Sequence, residues 1–83
     1  MAIKDEIEAR LRAAFGVTDL AVVNESHRHA GHGGDDGSGE SHFAVKLRAP
    51  EFAAMGRLAR HRAVQAALGD INTRVHALAL DIA

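Results

Sequence analysis

The chain has 83 residues, no cysteine and a formal net charge of −1, with 47% apolar residues but only 4% aromatic. That length holds one domain with a thin stability margin, packed mostly by Ala, Val, Leu and Ile. It excludes a disulfide framework and any thiolate metal site built from this chain alone. The charge is unevenly spread: residues 1–41 carry −4, residues 42–76 carry +4, and Asp81 supplies the rest. The asymmetry hints at a basic surface in the second half.

The first segment predicts an amphipathic helix over residues 1–15. Ile3, Ile7, Leu11 and Phe15 recur every fourth residue as one apolar stripe, with Ala14 beside it. Asp5, Glu6 and Glu8 near its start and Arg10 and Arg12 near its end complement the helix dipole. Gly16 is a natural stop. This charged N-terminal stretch lacks the apolar run of a signal peptide, and no stretch is long and apolar enough to span a membrane. A soluble, cytoplasmic protein with no membrane association is the expectation.

Leu20 to Val23 is a β-branched run that predicts a short strand. Residues 31–39, GHGGDDGSG, cannot be a core element and are expected to form a mobile hairpin loop over about residues 30–40. Ser41 to Arg48 alternates, with Phe43, Val45 and Leu47 on one face and His42, Ala44, Lys46 and Arg48 on the other, as in a strand with one buried face. Ala49-Pro50-Glu51 breaks it, and residues 51–55 suit a helical turn. Arg57 to Leu68 predicts the second main helix, with Leu58, His61, Val64 and Leu68 on its apolar side and Gly69 as terminator. After a short link, Val75 to Ile82 alternates again, with His76, Leu78, Leu80 and Ile82 sharing a face.

The order α-β-β-(turn)-α-β allows a right-handed crossover between parallel strands. An α+β domain follows, with a three-stranded mixed sheet covered by helices on one face.

Six histidines are the most conspicuous chemistry. His27, His29 and His32 lie in or beside the glycine-rich loop. Imidazole is a common metal ligand that a flexible loop can bring to an ion, although solvated loops also tolerate histidine freely. His76 opens the last strand, where one ring nitrogen can face a ligand while the protein fixes the other; a half-buried histidine satisfied by the backbone is the plain alternative. His42, opposite Phe43, and His61, on the helix stripe, read as structural. Ser26, Ser38 and Ser41 have histidines nearby but no strand-to-helix nucleophile elbow. No phosphate-binding glycine loop opens a helix. Nothing here reads as an enzyme.

Four ordered blocks, NESHRH at 24–29, SHF at 41–43, RHR at 60–62 and VHALAL at 75–80, resemble the signature blocks of the BolA family, so that nearly the whole chain is covered as one BolA-like domain, 1–83. The resemblance implies a class II KH-like fold, α-β-β-α-α-β. It implies partnership with a monothiol glutaredoxin in iron–sulfur trafficking or iron and redox regulation. The pair would share a bridging [2Fe–2S] cluster, with glutaredoxin and glutathione supplying thiolates. By motif match, His76 is the strand-end ligand and His29, ending its block, the loop ligand. The loop departs from the family pattern in length, in glycine content and in lacking proline, and it holds His32 as an alternative to His29. Histidine ligation on one iron raises the cluster's potential and makes it pH-sensitive. The family is also linked to DNA binding and transcriptional control. Arg57, Arg60, Arg62, Lys46 and Arg48 are the candidate phosphate contacts, but the KH GxxG loop is absent, since residues 54–57 hold a single glycine. Alone, the chain is expected as a monomer or weak homodimer.

Overall fold

In a computed structural model of the chain, residues 2–26 and 41–83 are described. The elements run α1 (Ile3–Ala14), β1 (Asp19–Asn24), β2 (His42–Arg48), a 3-10 turn (Pro50–Ala54), α2 (Arg57–Leu68), α3 (Ile71–Arg74) and β3 (Ala77–Ile82). The sheet order is β1-β2-β3. β1 pairs antiparallel with β2, with Val22 opposite Val45, and β2 pairs parallel with β3, with Val45 opposite Leu80. The parallel pair requires the crossover that the 3-10 turn, α2 and α3 provide.

One face of the sheet is covered and the other is open. Val22, Phe43, Val45 and Leu47 are buried with Ile7 and Leu11 of α1 and Val64 and Leu68 of α2, while Leu78, Leu80 and Ile82 pack half-buried against them. Alternation puts Ala21, Val23, Ala44, Lys46, Ala79 and Asp81 on the opposite, open face. The mixed sheet with helices on one side is the one that the alternating segments predict. Among the described residues, no helix is long and apolar enough to cross a membrane.

Two features of the interior differ from the sequence reading. Leu58 is 62% exposed rather than on the buried stripe of α2. Two successive steps of three residues fall short of two full turns by about 120°, which carries Leu58 away from Val64. The buried line runs instead through Val64 and Leu68 into Ile71, so the supposed link is the helical turn α3. The 3-10 turn also contributes: Phe52 is wholly buried, and its ring lies 4.9 Å from that of Phe15. Arg60 Nε donates to the Phe52 carbonyl at 2.9 Å, which fastens the turn to α2.

Gly69 ends α2 as expected, at φ +55° and ψ −122°, a conformation that side chains resist. Beside it an ionic cluster ties the N-terminal helix to α3. Arg74 donates to both oxygens of Glu6 at 2.8 and 2.9 Å, and Arg10 donates to Asp70 at 2.6 Å and to the Leu68 carbonyl.

Candidate functional site

The site lies at the end of the sheet where β2 and β3 begin. Parallel pairing sets His42 opposite Ala77, which brings His76 beside Ser41 and His42. The Ser41 carbonyl accepts from the His76 amide at 2.8 Å and from the Ala77 amide at 3.1 Å. The backbone of His76 is therefore pinned at the step before β3, and its side chain is exposed. That side chain has no hydrogen-bond partner among the described residues, so it is available to a ligand. Its ring lies 5.2 Å from that of His42, centroid to centroid, at 47°.

His42 begins β2 on the open face by alternation, yet it is buried, as are Ser26 and Ser41. These three residues form one polar knot. Ser26 Oγ accepts from the Ser41 amide at 2.9 Å and the His42 amide at 3.1 Å, and Ser41 Oγ shares a 2.7 Å hydrogen bond with His42 Nδ1. Among the described residues, no buried side-chain polar atom lacks a partner, as a stable buried polar network requires. The knot joins the chain on either side of residues 27–40.

A depression of about 380 Å³ adjoins His76, lined by Gln65, Asn72, Val75, Ala77 and Leu78. Gln65 also borders a second depression along α2 with Arg57, Leu58 and His61. His61, read as structural from the sequence, is half-buried at that surface. The exposed Leu58 stands in the same strip, an apolar group available for contact.

Of the residues singled out in the sequence, His27, His29 and His32 lie outside the described residues, as does the glycine-rich loop. Of the five basic candidates, Arg57 and Arg60 border one depression with Asp81, and three of the five have partners within the chain. Lys46 is 3.9 Å from Asp19 across the open sheet face. Arg48 pairs with Asp81 at 3.1 Å. Arg60 is engaged with the Phe52 carbonyl. Arg57 and Arg62, both on α2, are exposed and have no ion-pair partner among the described residues. The basic excess of residues 42–76 is thus partly neutralised by acids of other segments.

The residue that sequence reasoning undervalued is His42. Its alternation phase marks it as outward-facing, and only the β2–β3 register reveals the adjacent His76. The signal was present in part: SHF and VHA both place a histidine where a strand begins.

The chain is thus an α+β domain with one open sheet face and a pinned, exposed histidine at the head of its last strand. Residues 11–83 match the protein family described as BolA-like protein. The chain is 44% identical over 81 residues to the DNA-binding transcriptional regulator BolA of Escherichia coli, covering 96% of this chain and 73% of that protein. Its fold is similar to that of BolA1 from Arabidopsis thaliana, with a TM-score of 0.81 at 28% identity over 99% of this chain and 90% of that one. The BolA domain of SufE1 from the same plant gives a TM-score of 0.82 at 25% identity, over 99% and 91% of the two chains. This chain belongs to the BolA family.

Proposed function

We propose that this protein is a cytoplasmic binding partner of a monothiol glutaredoxin and shares a bridging [2Fe–2S] cluster with it, in iron–sulfur trafficking or iron and redox regulation. The observation that carries the reading is His76: an exposed imidazole on a backbone fixed by two hydrogen bonds to one carbonyl. The donor set agrees with a shared site. The chain has no cysteine, and among the described residues no three metal-ligating side chains converge. Thiolates must then come from the partner and glutathione. His29 or His32 is the companion ligand from this chain. When bound, the cluster supplies one-electron chemistry and transferable iron and sulfide, and imidazole ligation sets its potential. This chain's part is to present His76 at fixed position and to offer the strip of Leu58, His61 and Gln65 to the partner.

The test is co-purification with a monothiol glutaredoxin, followed by absorption and circular dichroism spectra of the complex. His76→Ala is expected to alter the visible spectrum and lower cluster retention while the metal-free domain still folds. An unchanged spectrum and retention would show that His76 is structural. His29→Ala and His32→Ala separate the two loop candidates.

A second reading, binding of DNA in transcriptional control, draws on the name of the Escherichia coli relative and on the exposed Arg57 and Arg62 of α2. DNA affinity would fall steeply with salt, and Arg57→Ala with Arg62→Ala would flatten that slope. Affinity indifferent to both would remove this reading.

A further inference from the structure

The buried Ser26–Ser41–His42 knot has no part in the reading above, and it stands directly against the one residue on which that reading rests. Ser41 holds His76 twice. Its carbonyl fixes the His76 backbone, and its hydroxyl fixes the His42 ring against which the His76 ring lies. Ser26 in turn holds the amides of Ser41 and His42. A histidine at a strand end is otherwise free to turn about its side-chain torsions, and ordering it at the moment of binding costs affinity.

Burial separates this arrangement from a chance contact. Ser41 is 0% and His42 7% exposed. Two polar groups withdrawn from water are maintained only where their hydrogen bonds are met, so their geometry is tightly specified. A hydrophobic pair would fill the same space without fixing a ring orientation. Outer groups that orient a metal-ligating imidazole typically contribute about 10–100-fold in metal affinity.

We infer that His42, oriented by Ser41 and Ser26, is a positioning residue that holds the His76 ring ready for ligation. The inference deepens the cluster reading and rests on it for its consequence, but the positioning itself is a property of the metal-free chain. The first measurement therefore uses no metal. Side-chain coupling constants of His76 by NMR should report one dominant rotamer in the wild-type chain. They should report averaging in His42→Ala, and averaging again in His42→Phe, whose ring fills the same space but lacks the nitrogen that Ser41 Oγ holds. Ser41→Ala, with its carbonyl intact, should loosen the His76 ring without releasing its amide. Averaged couplings in the wild-type chain would overturn the inference with no variant needed, even if His42→Ala failed to fold.

The second measurement uses the reconstituted glutaredoxin complex. His42→Ala should keep a spectrum of wild-type shape, because His76 remains the ligand, and lose its cluster about 10–100-fold more readily. His76→Ala should change the shape itself. Retention in His42→Ala within about twofold of wild type, alongside loss in His76→Ala, would overturn the positioning role, being well below the usual effect of an outer group. If His76→Ala changes nothing, the cluster reading falls, and the coupling constants alone decide whether His42 positions His76.

Discussion

Two polar networks tie distant parts of this chain together, and they differ in what surrounds them. The knot of Ser26, Ser41 and His42 is buried and is built from hydroxyls, backbone amides and one imidazole. The cluster of Glu6, Arg10, Asp70 and Arg74 uses full charges, but its side chains stand 22–60% exposed. Charge alone would rank the second as stronger. Water reverses the ranking, because exposed ion pairs are screened and contribute little, whereas a buried donor that loses its acceptor has nothing to replace it. The buried network is accordingly the one suited to hold a functional side chain, and the exposed one serves to register α1 against α3.

The sharpest way to break this contrast is Ser26→Ala. It removes the acceptor of two amides, Ser41 and His42, at one stroke. A cost of about 1–3 kcal/mol for each donor left unsatisfied is expected. Chemical denaturation at two salt concentrations checks it: the loss should persist in high salt, because no ion pair is involved. A loss that vanished in salt would place the knot with the exposed networks.

A second substitution bears on the other network. Gly69 sits between the two arginine-bound groups, at φ +55°. An added Cβ would stand 3.4 Å from Arg10 Nη1, so space is tight but the backbone is the main obstacle. Gly69→Ala should cost about 1–3 kcal/mol, the usual range for a side chain forced into such a region. Thermal unfolding measures it. Adding Arg10→Ala should leave most of the cost in place, since the strain is in the backbone and not in the contact.

Much of the frame was legible because it rests on local periodicity. The stripe of Ile3, Ile7 and Leu11, the alternation of Phe43, Val45 and Leu47, and the stop at Gly69 each follow from geometry within a few residues. Phe52 and Ile71 were missed as core anchors because they sit in single helical turns, too short to show a period. Leu58 was misplaced because three-residue spacing was treated as a straight line along the helix. His76 was legible through the VHALAL block, whereas His42 was not: its partner becomes visible only when two strands distant in sequence pair in parallel. The basic second half was legible as composition but not as a surface, because Lys46, Arg74 and Arg48 are met by Asp19, Glu6 and Asp81 from elsewhere while Arg57 and Arg62 stay exposed.

The smallest expected effect is the pH response of the exposed cluster, and its sign is fixed by the geometry. The hydrogen bond from Arg74, with the charges of Arg74 and Arg10, holds the Glu6 carboxyl below its ordinary 4.5. The hydrogen bond from Arg10, with the charges of Arg10 and Arg74, holds Asp70 below its ordinary 3.8. Arg74 is shifted upward by Glu6 and stays protonated throughout. With folded values below unfolded ones, the unfolded chain takes up protons first as pH falls, so stability declines with acid. The contribution is complete above about pH 5 and is lost as pH drops through the depressed folded values. Melting temperature should therefore slope downward as pH falls below the ordinary values of 4.5 and 3.8. Arg74→Gln should flatten that slope, and so should high salt, since these groups are open to solvent. The Ser26→Ala variant should keep the wild-type slope from a lower starting temperature, because its lost bonds carry no titrating charge. A slope unchanged in Arg74→Gln would mean that Glu6 and Asp70 are not held by this arginine, and the two networks would no longer differ in the way their exposure requires.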